Sequence, residues 1–350
     1  MRYLNTERSS RAALGRVFVG LFLLVMLVQA RTWASTPVTP SSTDPLIARR
    51  EVNAWLTKIH RAAQTQNYVG TFVYQRGSFI RSSRISHFAD RGHEYEQLET
   101  LDGQPRKILR HDEDVYSFIP EHKIIFIEKR ENKDSFPALL AAGEHDVLNF
   151  YEPKLLAPER VAGFNCVVID LVPRDAYRFG YRLWADERSG LLLRAQTVDA
   201  KGHVLEQASF SQVSIGVPSQ KNRIMAEIHD VRGWRIVKPH IQTVHLADTG
   251  WSIKANVPGF KEIREVRRVM NTNPGSGPIE VLQAVYSDGM SGLSVFIEPA
   301  TRERKEGHGS TGATNILIKK YDNFWLTLLG EVPQATLQRF AASIEYKPVK

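Results

Sequence analysis

The spacing of apolar residues changes abruptly at Tyr68. Before it, Ile47, Val52, Trp55, Leu56, Ile59 and Ala63 recur at helical intervals, one apolar stripe on a polar helix. Asp44-Pro45 reads as its N-cap and first helical position, and the stripe runs out near Gln66-Asn67. From Tyr68 the period falls to two. YVGTFVYQR, SFIRSSRISHF, HEYEQLETL, RKILRHD, DVYSFI and KIIFIEKR are strand-like runs rich in aromatic and β-branched residues. Arg76-Gly77, Asp90-Arg91-Gly92, Asp102-Gly103 and Asp112-Glu113-Asp114 punctuate them. Connections this short join antiparallel neighbours. A short helical piece is expected at Phe136–Ala142, with strands resuming at Val161–Val172, Tyr181–Ala185, Leu191–Val198 and Val204–Phe210.

Residues 214–243 hold Pro218-Ser-Gln-Lys-Asn222 and Lys238-Pro239 and read as a linker with room for a short strand or helix. Beyond it, strands are expected at Val244–Asp248, Trp251–Asn256, Ile263–Met270, Ile279–Ser287, Gly292–Glu298, Thr314–Tyr321 and Phe324–Gly330. A closing helix over Pro333–Ile344 puts Leu337, Phe340, Ala341 and Ile344 on one face. The fold class is therefore α+β: a large curved antiparallel sheet with a capping helix over 44–213, and a smaller α+β domain over 244–347. A large twisted sheet curls, and one helix covers only part of its concave face. The remainder is either ordinary core or a groove for an apolar ligand. The crowding of Val69, Phe72, Val73 and Tyr74 suits both.

The first 34 residues read as a secretory signal peptide. Arg2, Arg8, Arg11 and Arg16 face a single acid, Glu7, and precede the apolar run Val17–Val28. That run falls short of the ~20 residues a bilayer span needs. Cleavage is expected after Ala30 or Ala34; an uncleaved anchor is the alternative. With no cysteine after the run, lipid anchoring is not expected, and the chain is placed in the periplasm. The net charge of +8 includes the leader's excess of arginine, so the remainder is only mildly basic. With no Lys/Arg tract, nucleic acid is not an expected partner. The one cysteine, Cys166, cannot form an internal disulfide. Its neighbours Val167, Val168 and Ile169 suit a buried small hydrophobe; pairing with another chain is the alternative.

Catalytic signals are missing. Gly307-His-Gly309-Ser-Thr-Gly312 matches G-x-G-x-x-G, but no helix follows it, so it reads as a mobile hairpin loop. There is no P-loop, H-E-x-x-H or G-x-S-x-G. His87, His93, His111-Asp112 and Glu144-His145-Asp146 could each join carboxylates at a metal, yet none has metal-site spacing, and solvated hairpin residues are expected. The expectation is a binding protein, not an enzyme, with no cofactor and no metal. One dense cluster remains, Pro173-Arg-Asp-Ala-Tyr-Arg-Phe-Gly-Tyr181, between two strands. Its arginines and aromatics have the composition of an interface hot spot. They would equally fix a tight turn against the sheet.

Taken together, these segments resemble the RseB/MucB family. In the large domain the resemblance lies in Tyr68-Val-Gly-Thr-Phe-Val-Tyr74, Arg84-Ile-Ser-His87, Glu94 through Leu101-Asp-Gly103, Arg160-Val-Ala-Gly163, Pro173 through Trp184 and Ser189-Gly-Leu-Leu-Leu-Arg194. In the small domain it lies in Val257-Pro-Gly-Phe260, Tyr286-Ser-Asp-Gly289, Ser294-Val-Phe-Ile-Glu298 and Gly330-Glu-Val-Pro333. The resemblance implies a large domain like the lipoprotein carriers of the LolA type, a half-barrel capped by helices. It also implies a periplasmic negative regulator of a sigma-E type envelope-stress sigma factor. Such a protein binds the periplasmic segment of a membrane-spanning anti-sigma factor and protects it from proteolysis. Lipopolysaccharide or lipoprotein acyl chains release it. Acyl chains are expected near Phe72, Tyr74, Leu98 and Ile108, with basic residues at the rim. The partner is expected at Arg174, Asp175, Tyr177, Arg178, Tyr286 and Phe296. Self-association is allowed, and a lipid or lipoprotein carrier is the alternative reading.

Overall fold

The computed structural model describes residues 45–129, 136–138, 147–254, 256–270, 278–301 and 303–348. The expected signal peptide, Asp44, residues 139–142 of the expected helical piece, and Glu144-His145-Asp146 lie outside the described residues.

Helix α1 spans Pro45–Thr65. Six strands then form a meander: β1 Tyr68–Arg76, β2 Phe79–Asp90, β3 His93–Thr100, β4 Lys107–His111, β5 Asp114–Ile119 and β6 Ile124–Lys129. Five more return on the other side of β1: β7 Tyr151–Val161, β8 Phe164–Pro173, β9 Gly180–Asp186, β10 Leu192–Val198 and β11 Val204–Ile215. Helix α2 (Lys221–His229) and β12 (Arg235–Val237) follow. The result is one 12-stranded open, curved sheet in the order β12-β6-β5-β4-β3-β2-β1-β11-β10-β9-β8-β7. All its pairs are antiparallel except β12 on β6. The second sheet contains β13 Ile241–Thr243, β15 Lys261–Met270, β16 Ile279–Ser287, β17 Gly292–Pro299, β18 Gly307–Thr311, β19 Thr314–Tyr321 and β20 Phe324–Gly330. Their order is β13-β15-β16-β17-β20-β19-β18. A two-stranded ribbon joins β14 (Trp251–Ile253) to β21 (Ile344–Tyr346), and α3 spans Gln334–Ala341.

Several elements differ from the pattern-based expectation. The run Val161–Val172 is not one strand. Ala162 and Gly163 both take left-handed backbone (φ 49° and 90°) and turn β7 into β8. Gly163 alone advertises this turn, because Ala162 rarely adopts that conformation. The stretch that reads as a linker carries α2 and β12, both packed on the large sheet, and β13 of the small one. Val244–Asp248 is not a strand; a 3-10 turn occupies Leu246–Thr249. The Gly307–Gly312 motif is the β18–β19 hairpin, and it is docked. A Cβ on Gly312 would lie 2.4 Å from the Arg76 side chain, and the Ala313 amide points at Glu206 Oε2 at 3.4 Å.

Helices α1 and α2 cover opposite faces at opposite ends of the large sheet. α1 buries Val52, Leu56 and Ile59 against Ile169, Leu171, Leu183, Ala185 and Leu192. α2 buries Ile224 and Ile228 against Phe88, Tyr95, Leu109, Phe118 and Ile125. The registers Gly70↔Ile85, Ile85↔Leu98 and Leu98↔Ile108 carry the α1 face on across β2–β4, beyond the strands against which α1 buries Val52, Leu56 and Ile59. Apolar side chains on that stretch need another cover. In the small domain, α3 packs Leu337 and Phe340 against Ala284, Tyr286, Val295, Ile297, Leu326 and Leu328.

Candidate functional site

The uncovered stretch holds a cavity of about 310 Å³. Phe72, Tyr74, Ile85, Leu98, Ala195 and Ala208 form its sheet wall, and Phe136 packs against Phe72 and Phe210 with ring centroids 5.3 and 5.2 Å apart. Met290 and Glu331, from the small domain, complete the lining. The cavity is thus a junction between the two domains as well as a groove in the large one. Phe72, Tyr74 and Leu98, picked from the sequence, line it together. Ile108 sits one strand further out, half-buried opposite Leu98, and is not part of the lining.

The charges lining the cavity are mainly acidic. Glu96, Glu206 and Glu331 contribute carboxylates, and Arg110 is the one guanidinium. Arg110 Nη1 donates to Glu96 Oε1 at 2.6 Å across the β3–β4 register. The Tyr74 hydroxyl donates to Glu206 Oε2 at 2.9 Å. Burial, and then the adjacent Glu206 charge, push that hydroxyl's pKa well above the usual tyrosine value. A basic rim able to meet phosphates is therefore not found within the lining, whose apolar walls suit hydrocarbon. Glu96 and Arg110 were legible in principle, since each stands two residues from an expected lining position, Leu98 and Ile108, on the same face. Met290 and Glu331 were not, because only tertiary docking brings them there.

The Pro173–Tyr181 cluster forms the other side of the junction. Arg178 is buried, with its Nε 3.2 Å from Asp175 Oδ1 and its Nη1 3.1 Å from Asp288 Oδ2. Its Nη2 donates to the Pro258 carbonyl. The Phe150 and Phe260 rings lie 4.6 and 5.5 Å from the guanidinium. Asp288 is itself held by the amides of Met290 and Ser291 at 3.0 and 2.7 Å. Burial raises its carboxyl pKa despite these donors and Arg178. The Tyr177 carbonyl accepts from the Thr336 hydroxyl at 2.6 Å, and its phenol oxygen accepts from Arg339 Nη1 at 2.8 Å. Tyr181 reaches the small domain too, 2.9 Å from Ser291 Oγ. Tyr177, Arg178 and Tyr181 of this loop thus bind one domain to the other.

The six residues expected at a partner surface are consequently dispersed. Tyr177 and Arg178 meet the small domain, Asp175 pairs with Arg178 and accepts from the Tyr177 amide within the loop, and Arg174 is exposed, 4.0 Å from Glu152. Tyr286 is buried in the small core, its ring 5.0 Å from Phe340. Phe296 is half-buried on the opposite face of that sheet, across from Gln283. Arg178 and Tyr286 are each only 2 % exposed, so in this conformation they offer a partner almost nothing to touch.

Comparison with known proteins accounts for both domains. Residues 51–228 match the family model for the MucB/RseB N-terminal domain, and residues 245–345 match that for the MucB/RseB C-terminal domain. The chain is 26 % identical over 294 residues to the sigma-E factor regulatory protein RseB of Haemophilus influenzae, covering 83 % of this chain and 90 % of that protein. It is 26 % identical over 313 residues to the sigma factor AlgU regulatory protein MucB of Pseudomonas aeruginosa, covering 86 % and 92 %. Among solved structures, the Pseudomonas aeruginosa MucA/MucB complex contains a chain similar to this one at 26 % identity. Its TM-score is 0.67, over 85 % of this chain and all of that one. The chain belongs to the MucB/RseB family, a family of regulatory binding proteins and not of enzymes.

Proposed function

We propose that this chain, as a MucB/RseB family member, is a periplasmic negative regulator of a sigma-E type sigma factor. It binds the periplasmic segment of a membrane-spanning anti-sigma factor and protects it from regulated proteolysis. A lipidic envelope-stress signal releases it. Its relatives' names as sigma-factor regulatory proteins and the MucA/MucB complex support the partner half of this reading. The leader-like first 34 residues support export. The observation that carries the lipid half is the apolar cavity walled by Phe72, Tyr74, Ile85 and Leu98.

The cavity's size and charge narrow the ligand. At about 310 Å³ it stands at the low end of the ~300–1,000 Å³ usual for small-molecule sites. Its acidic groups disfavour a phosphate inside. An acyl chain enters, and the headgroup stays outside. A bulkier amphiphile must part the two domains at Met290 and Glu331. That supplies the difference in affinity between states without which no ligand displaces a partner. Arg174, exposed on the junction loop, is the partner contact we favour. Tyr177 and Arg178, with Asp175 positioning Arg178, act through the arrangement of the domains.

The test is a pull-down of the anti-sigma periplasmic segment, followed by elution with lipopolysaccharide. Wild-type protein is expected to bind and then release the segment. A variant with the cavity filled, Leu98→Trp, is expected to bind and not release. Equal release from both proteins removes the cavity from the mechanism, and failure of wild-type protein to bind the segment removes the regulator reading. The lipid or lipoprotein carrier reading draws on the same cavity; it gains if lipid co-purifies from periplasm and no anti-sigma segment does.

A further inference from the structure

Away from the cavity and the junction, three ligand-bearing side chains meet at one end of the large sheet. His93 opens β3, His111 closes β4, and Asp112 follows in the turn to β5. Because β3 and β4 run antiparallel with Tyr95 opposite His111, the start of one strand lies beside the end of the other. One ligand atom from each of the three side chains lies within 4.8 Å of the others.

The cluster is held in place by groups that are not themselves ligands. Asp112 takes left-handed backbone, φ 51°, and its amide donates to the Glu94 carbonyl at 3.0 Å. The Glu94 amide in turn donates to Asp112 Oδ1 at 2.9 Å. That leaves Oδ2 facing the histidines, 2.8 Å from His93 Nδ1 and 3.6 Å from His111 Nε2. The His111 ring is stacked on Tyr95, centroids 4.9 Å apart and planes 18° from parallel. Outer-shell support of this kind orients ligands in metal sites. Tetrahedral zinc with bonds of about 2.0–2.2 Å sets its ligand atoms roughly 3.4 Å apart, and the two Oδ2 distances straddle that value.

We infer that His93, His111 and Asp112 form a binding site for a divalent transition cation, zinc foremost. Two imidazoles and one carboxylate suit zinc and copper and are poor for calcium or magnesium, which take oxygen ligands. His93 is 56 % exposed, which leaves an entry path and a coordination position for water. The cation would pin the β2–β3 turn to the β4–β5 turn. It needs no contact with the cavity or with any protein partner, so it stands apart from the proposed regulation.

Calorimetric titration of the tag-free exported protein with zinc chloride tests this, with magnesium chloride as the comparison. One zinc per chain is expected, with no saturable magnesium binding. His93→Gln, His111→Ala and Asp112→Asn should each weaken zinc binding at least tenfold. His93→Gln changes an exposed side chain and keeps the test open if another variant misfolds. Zinc should raise the melting temperature of the wild type and leave that of His93→Gln unchanged, because a ligand that binds only the native state stabilises it. Absence of saturable zinc binding, or wild-type affinity in His93→Gln, overturns the assignment.

Discussion

The guanidinium of Arg178 lies 3.1 Å from the carboxylate of Asp288, and both side chains are fully buried where the two domains meet. Removing one member of such a pair strands the other charge, at a cost of about 3–5 kcal/mol. Arg178→Met should lose about that much near neutral pH, and Asp288→Asn in the same background should restore most of it. The acid-side behaviour follows from Asp288. Burial raises its folded-state pKa, so its stabilising contribution is complete below the unfolded value and is lost as pH rises through the folded value. Arg178→Met removes a group that opposes this rise, so its deficit should shrink on acidification. Urea unfolding of the two variants at neutral and mildly acidic pH measures both effects.

Gly259 stands next to this pair. Its φ is +86°, and a Cβ there would lie 2.6 Å from the Phe150 ring, which itself covers Arg178. Gly259→Ala should cost about 1–2 kcal/mol from its left-handed backbone alone. Displacement of Phe150 should add to that. Faster proteolysis between the domains, together with a lower urea midpoint, is the expected signature.

Cys166 is completely buried, and burial pushes its thiol up to about 11. Both properties suppress the thiolate. Iodoacetamide should leave the native protein unmodified under mildly alkaline conditions and label it fully in urea. Fast native labelling would show that the strand around Cys166 opens readily.

Leu98→Trp projects an indole into the cavity wall. A fluorescent fatty-acid probe should lose at least tenfold in affinity, while stability changes by no more than about 1–3 kcal/mol, the usual range for overpacking. Tyr74→Phe should keep probe binding and cost about 1–2 kcal/mol through the lost donor to Glu206.

The meander β1–β6 was legible because its strands are rich in aromatic and β-branched residues and four of its five connections carry Gly or Asp, at Gly77, Gly92, Gly103 and Asp112. The hairpin at Ala162-Gly163 was hidden because apolar residues run on through it. β12 and β18 were hidden for another reason. They are short edge strands fixed by their neighbours, with burial too slight to impose a period. Phe72, Tyr74 and Leu98 could be read as one wall because they share a face by strand parity. The role of Arg178 could not, since composition does not distinguish an arginine that meets another protein from one that meets the same chain's second domain. Within the chain, Arg178 meets the Asp288 loop and Tyr177 meets α3.

The passage from one domain to the other is short. β12 is fixed to β6 at the edge of the large sheet and β13 to β15 at the edge of the small one, with Lys238, Pro239 and His240 between them. Fully extended, Val237 and Ile241 can stand no more than about 13–14 Å apart at the usual reach of ~3.3–3.6 Å per residue. The two domains are therefore on a leash. Separating them would require an edge strand to peel away, whereas a swing about this point would not. Any opening of the junction would in effect be a rotation with a fixed pivot, its amplitude greatest at whichever surfaces lie farthest from Pro239.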